Sequence, residues 1–412
     1  MCENSNEKKV YLDYNATTPL DAEVIQSITE SLCKGWSNPS SQYNAGKDAK
    51  AEINKSRGLI AQMINANFPS DIVFLSGGTE ANNVVFNSVY IHYQNLKNKI
   101  NDLDPLPHFI ISNVEHDSVK LVAEHYEKNG LGEVSVANVD STGAVRVKDI
   151  LNMIRPNTIL VSIMLANNET GVIQPVEDLS AEIKKLNGRR VPIFVHTDAA
   201  QAIGKINVDA EKLMVDYLTI VGHKFYGPKI GALYARNCLG NDSEKSPLFH
   251  LFQGAGQESG LRPGTENTPM IVGLGKACEL VTKNLEKYSK QMQEMRDYLE
   301  NKLIEVFGVE NLRFNGKSVG TERLPNTCNV SFISSPKFKG FLILKNCDYL
   351  EASTGSCCHS GEFRASKILL AMNIDLNVAA NALRLSVGRD TTKQEIELVV
   401  QDIQNSLKKI LN

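Results

Sequence analysis

Apolar and polar positions along this chain follow two periods. From about residue 50 to 240, short runs rich in Val, Ile and Leu fall at 71–75, 109–112, 134–139, 158–165, 192–198, 217–221 and 232–235. Amphipathic stretches separate most of them. Strand-length apolar runs alternating with helical patterns predict a mainly parallel sheet covered by helices. Runs almost continuous in branched apolar residues belong to strands buried on both faces. After Thr268 the texture changes. A long helical stretch rich in Glu, Lys and Met runs to about Val306, and strand patterns follow at 327–333 and 383–387. The last helix is the best marked. Thr392 and Glu395 have capping-box spacing, and Ile396, Val399, Val400, Ile403, Leu407 and Ile410 recur at helical intervals. The pattern predicts an α/β fold in two domains: a large one over 19–268, and a smaller α+β one from 1–18 and 269–412. Polar, proline-containing 97–107 is the expected flexible connection.

Composition narrows the class. The chain has 412 residues, 42% of them hydrophobic, enough for a large core. The 44 basic and 47 acidic residues leave a net charge of −3, which does not resemble a nucleic-acid binder. The opening residues are polar and charged, unlike a signal peptide or an Arg-rich presequence. No apolar run approaches the ~20 residues of a spanning helix, so a soluble cytoplasmic protein with no membrane partner is expected. Eight cysteines without a C-x-x-C pair point to neither a disulfide framework nor a zinc site, and no metal is expected.

Three segments carry candidate chemistry. Ser76-Gly77-Gly78-Thr79-Glu80 follows a strand and precedes a helical pattern. Free amides at such a helix start bind anions, so Gly78 and Thr79 are candidate phosphate contacts; a plain strand-to-helix turn is the other reading. In His196-Thr197-Asp198-Ala199-Ala200-Gln201, Asp198 ends an apolar strand, where α/β sheets present functional groups. A buried carboxylate there needs a cationic partner, such as the protonated nitrogen of a pyridine ring. Capping of the next helix is the commoner use of an Asp viewed alone. In Gly222-His223-Lys224-Phe225-Tyr226-Gly227-Pro228, a lysine stands at a strand end beside a turn. Most lysines are solvated, but a partly desolvated one becomes a nucleophile. Asp198 and Lys224 on adjoining strand ends would grip one ring from opposite sides.

These pieces make the sequence recognisable. With Y-L-D-Y-N-A-T-T-P (11–19), S-G-G-T-E-A-N-N (76–83), E-H-D-S-V (115–119), N-N-E-T-G (167–171), R-P-G-T-E-N-T-P (262–269) and L-R-L-S-V-G-R (383–389), it resembles the cysteine desulfurase and selenocysteine lyase family. That family is the class V branch of the fold-type I pyridoxal-phosphate enzymes. The resemblance implies pyridoxal 5'-phosphate as cofactor and Lys224 as the lysine that carries it. Asp198 would pair with the pyridine nitrogen, Gln201 would bond the ring hydroxyl and His116 would stack on the ring. Asn168 would contact cofactor or substrate. Gly78, Thr79 and His223 would surround the phosphate, with a hydroxyl donor near Thr219. Arg384 would bind the substrate carboxylate, as a rigid guanidinium fork suits. Thr265 would reach the phosphate of a partner subunit, which implies a homodimer. Without the resemblance, His116 reads as a helix-capping residue and Arg384 as a salt-bridge partner.

Ser353-Thr354-Gly355-Ser356-Cys357-Cys358-His359-Ser360 aligns with the family's reactive loop, placing the catalytic cysteine at Cys358. A buried thiol or an adjacent-cysteine disulfide is the bland reading. C-H-S here and the surroundings of the other motifs resemble the selenocysteine lyase branch, whereas general cysteine desulfurases usually have C-T-S. The implied reaction takes L-selenocysteine to L-alanine and releases selenium to a reductant or an accepting protein. The alternative is a cysteine desulfurase that forms a persulfide on Cys358 and passes sulfur on. Two departures from the family pattern stand out. Val221 replaces a usual Ser, and 253–259 has less glycine than expected. A silent scaffold would lack Lys224 or Asp198, and a transaminase would need no thiol loop.

Overall fold

The computed structural model describes residues 9–100, 102–240, 245–355 and 365–412. In chain order, its strands are β1 (Val10–Tyr11), β2 (Ile72–Leu75), β3 (His108–Ser112), β4 (Glu133–Ala137), β5 (Thr158–Ser162) and β6 (Phe194–Asp198). They continue as β7 (Tyr217–Val221), β8 (Gly231–Ala235), β9 (Leu312–Phe314), β10 (Thr327–Phe332), β11 (Leu350–Glu351) and β12 (Ala382–Ser386).

Seven strands form the central sheet in the order β2-β8-β7-β6-β5-β3-β4. The pairs from β4 to β7 are parallel, and β8 runs antiparallel to both neighbours. The middle strands are buried throughout, which explains why their apolar runs are continuous rather than alternating. One face carries a core that includes Val161, Val195, Leu218 and Ile220. The other packs Phe109, Leu160 and Tyr217 under Val85, Phe86 and Val89 of the helix Gly78–Lys97.

A second, antiparallel sheet has the order β12-β10-β9, and β1 pairs with β11 in parallel. The helix Thr268–Phe307 joins the two regions. Its first half puts Ile271, Leu274 and Cys278 into the core of the large sheet, and its second half puts Met292, Leu299 and Leu303 into that of the small sheet. The closing helix, Lys393–Leu411, starts with the capping box that Thr392 and Glu395 predict. Among the described residues, no helix is long and apolar enough to cross a membrane. The described cysteines, Cys33, Cys238, Cys278, Cys328 and Cys347, are free.

Candidate active site

The site forms where β6 and β7 end. Parallel pairing sets Asp198 opposite Thr219, and Lys224 follows in the short turn Gly222–Lys224 after β7. Side chains two apart on a strand share a face, so His196 and Asp198 point together toward the helix Gly78–Lys97. Asp198 is buried. Its Oδ1 accepts from Ala200 N at 3.0 Å and its Oδ2 from Asn82 Nδ2 at 3.0 Å. The bond from Ala200 N caps the turn that follows β6.

Lys224 and Gln201 converge on one atom. Lys224 Nζ donates to the carbonyl oxygens of Asn15 and Ala16 at 2.9 and 2.8 Å, and Gln201 Nε2 donates to the Asn15 carbonyl at 2.9 Å. The Asn15 side chain ties this point to the small sheet. Its Oδ1 accepts from Asn326 at 2.9 Å and from Lys205 Nζ at 2.8 Å, and its Nδ2 donates to Thr327 Oγ1 at 2.9 Å. Lys205 is a buried amine that also donates to Gln201 Oε1 at 2.8 Å. Burial, reinforced by Lys224 and Arg384, holds its pKa well below the ordinary lysine value. The bond from Lys205 fixes which end of the Gln201 amide is the oxygen, and so assigns Nε2 as the donor to Asn15.

The start of the helix Gly78–Lys97 is built for close approach. Gly77 at its N-cap supplies no side-chain cap. A Cβ on Gly78 would lie 2.6 Å from Val221 Cγ2, so Val221 packs where the family's usual Ser would stand. The Thr219 hydroxyl does not supply the missing donor, because it lies 2.7 Å from Asn82 Oδ1 and 3.1 Å from His196 Nε2, inside the fold. Thr79 occupies the first turn of the same helix. His223 sits with Nδ1 3.0 Å from Thr17 Oγ1, and burial, with Lys224 and Lys229 nearby, pushes its pKa down to about 4.

His116 caps the helix Asp117–Lys128, its Nδ1 accepting from Ser118 N at 3.1 Å. Its neighbour Glu115 is buried, accepting from Ser112 Oγ at 2.5 Å and Met164 N at 3.0 Å. The N-N-E-T-G segment turns on Asn167, whose Oδ1 accepts from Glu169 N and Thr170 N. The carbonyl of Asn168 receives Asn15 Nδ2 and Arg384 Nη1 at 3.1 and 3.2 Å.

Arg384 on β12 is buried and pairs with Asp13 at 2.6 Å, while its Nε meets no partner among the described residues. Both the salt-bridge reading and a carboxylate-binding reading fit a guanidinium with donor capacity to spare. Its backbone bonds Ser353 in both directions, at 2.7 and 3.4 Å. The segment that leads to the reactive loop thus starts against Arg384. Beyond the loop, Ser366 Oγ donates to Glu169 Oε2 at 2.5 Å. Cys357 and Cys358 lie outside the described residues. Thr265 is exposed and lines a separate cleft of about 290 Å³ with Ser76, Lys229, Glu258, Arg262 and Glu266. The 253–259 departure resolves into an anchored loop. Glu258, at φ 47°, accepts from Arg57 and from Phe74 N.

A seven-stranded, mainly parallel sheet with Asp198, Gln201 and Lys224 gathered at its strand ends defines the class. The chain belongs to the aminotransferase class-V family, whose model matches residues 10–399. A selenocysteine lyase from Homo sapiens is 51% identical over 422 residues, covering 99% of this chain and 94% of that protein. A cysteine desulfurase IscS from Methanosarcina thermophila is 37% identical, covering 100% of this chain and 96% of that protein. A solved NifS-like protein superposes with a TM-score of 0.84 at 32% identity, covering 97% of this chain and all of that one. The chain is therefore an enzyme of this family, and its fold is that of the NifS-like structures.

Proposed function

We propose that this enzyme is a pyridoxal-phosphate-dependent selenocysteine lyase, converting L-selenocysteine to L-alanine and releasing selenium to a reductant or an accepting protein. The observation that carries the reading is the convergence of Lys224 and Gln201 on the Asn15 carbonyl, beside Asp198. The likeness to the human selenocysteine lyase over nearly the whole chain supports the choice of substrate.

The residues present fit the cofactor. Asp198 offers a buried carboxylate to a pyridinium nitrogen. Gln201 keeps one amide N–H, beyond the one given to Asn15, for the ring's hydroxyl oxygen. Gly78 lies too close to Val221 to carry a side chain, so its backbone and that of Thr79 are open to a phosphate at the helix start, with His223 near. When bound, the cofactor supplies an electron-accepting ring for charge that develops at the substrate α carbon.

The chain's own residues do the rest. Lys224 would hold the cofactor, and its Nζ would move the substrate's α proton. Asp198 keeps the ring nitrogen protonated. His116 would face the ring, and Arg384 would bind the substrate carboxylate with Asn168 beside it. Cys358 acts on the departing chalcogen as nucleophile or proton donor. Thr265 of the partner subunit completes the phosphate site, so a homodimer belongs to this reading, as does a cytoplasmic setting. The same reading takes 19–268 as one domain and 1–18 with 269–412 as the other, with the site between the two. A second reading, cysteine desulfuration through a persulfide on Cys358, is favoured by the likeness to the IscS cysteine desulfurase.

Borohydride reduction of the purified yellow protein, followed by peptide mass mapping, tests the site. The pyridoxyl group should be found on Lys224. A label on another lysine, or none, overturns the reading.

A further inference from the structure

Asn82 is wholly buried on the helix Gly78–Lys97, in a stripe with Val85, Phe86, Val89 and Tyr93. A polar side chain there needs its hydrogen-bonding groups met. Groups of the site meet them. Its Nδ2 donates to Asp198 Oδ2 at 3.0 Å and to Ser118 Oγ at 2.8 Å, and its Oδ1 accepts from Thr219 Oγ1 at 2.7 Å. We propose that Asn82 is a positioning residue that holds, from one point, the two groups that grip the cofactor ring: the carboxylate of Asp198 and the imidazole of His116. What is gripped rests on the pyridoxal-phosphate reading; the hydrogen-bond network does not.

The direction of each bond follows by elimination. A carboxylate only accepts, so the Asn82 group facing Asp198 is the amide NH2, and the amide oxygen faces Thr219. Thr219 spends its one proton on that oxygen. His196 Nε2, 3.1 Å from Thr219 Oγ1, is then a donor. Burial pushes the His196 pKa down to about 4, which favours the neutral ring, with Nδ1 accepting from Ser162 Oγ at 2.8 Å.

On the other branch, Ser118 Oγ receives the second N–H of Asn82. It turns its own proton to His116 Nδ1 at 2.8 Å, which the Ser118 backbone N–H also meets at 3.1 Å. His116 thus carries its proton on Nε2 and offers the site a donor rather than a base. Neither Asp198 nor His116 can turn without breaking a bond that leads back to Asn82. Misplacing a reacting group by about 1 Å costs on the order of 100-fold in rate.

The test has two arms. In the holoenzyme, Asn82→Ala should lower kcat by about 100-fold with a smaller change in KM. In an Asp198→Ala background the same substitution should cost clearly less than it does alone, because only the His116 branch is then left for it to break. Losses that multiply in the double variant would overturn the Asp198 branch. The second arm uses cofactor-free protein labelled with 15N-histidine, with the His116 signals assigned by their absence in His116→Asn. Wild type should show His116 with Nδ1 unprotonated and Nε2 protonated. Asn82→Asp keeps the side-chain size but offers Ser118 an acceptor, so the Ser118 hydroxyl should turn away and the Nδ1 resonance should move. An unmoved resonance overturns the His116 branch. Asn82→Asp also carries the kinetic cycle if Asn82→Ala does not fold. Failure of the pyridoxal-phosphate reading shows separately, as a missing label on Lys224 with the 15N result intact.

Discussion

Two further carboxylates from the sequence motifs, Glu115 and Glu169, are buried. Glu115 has one oxygen satisfied by Ser112 and Met164 and the other, Oε2, without a partner among the described residues. Burial pushes its pKa up from 4.5 to about 8, with Asp198 adding to the rise. The folded protein therefore keeps a proton that the unfolded chain releases above about 4.5. The stability this contributes is full at pH below 4.5 and is lost as pH rises through about 8. Glu115→Gln cannot ionise. Its melting temperature should gain on that of the wild type as pH rises from 4.5 to 8. A difference that does not change with pH would mean that Glu115 is ionised in the fold. At this scale, the residues legible in the sequence were those inside short motifs: Asp198, Gln201, His223 and Lys224. Asn15, Asn82 and Lys205 were not legible as site residues, because their partners lie far away in the chain. Lys205 is linked to Asn15 across 190 positions and Asn82 to Asp198 across 116. Asn82 did leave a trace. It is a polar residue at a core position of an amphipathic helix, three and four residues before Val85 and Phe86.

At the scale of elements, the apolar runs located all seven strands of the large sheet, and 217–221 matches β7 end to end. The run 158–165 overshoots β5 for an instructive reason. Ile163 N and Leu165 N still bond to the carbonyls of His196 and Asp198, so the chain follows β6 after regular pairing ends. The long helix ends at Phe307, where Gly308 at φ 80° closes it, one residue beyond the sequence estimate. The two-residue strands β1 and β11 and the three-residue β9 had no local signal. Pairing with distant partners makes them strands, and so few residues show no period. The stretch 97–107 is polar, yet Tyr93 Oη donates to the Asp104 carbonyl at 3.0 Å and fastens part of it to the helix Gly78–Lys97.

At the scale of the whole molecule, the site lies where the two sheets meet. Lys205, Gln201 and Lys224 come from the large sheet's strand ends, and Asn326, Thr327, Arg384 and Ser386 come from β10, β12 and their edges. Asn15 joins the two sets. Such a junction suits an enzyme that must hold an amino acid between a cofactor and a cysteine loop. Thr265 is exposed on its own chain, as a residue serving a partner subunit must be before assembly. Sedimentation at micromolar concentration should therefore find a species near twice the 45.4 kDa chain mass. A fully active monomer would contradict a shared site. The central claim is the substrate. A selenol ionises more readily than a thiol, and its bond to carbon is weaker, so selenium leaves with less help than sulfur. The most direct test is alanine formation from L-selenocysteine and from L-cysteine by the free enzyme under reducing conditions, which prevents a persulfide on Cys358 from stalling the cysteine reaction. The account predicts kcat/KM for selenocysteine higher by roughly tenfold or more, about 1.4 kcal/mol of transition-state discrimination. Equal kcat/KM for the two amino acids would contradict it and make the enzyme a general cysteine desulfurase.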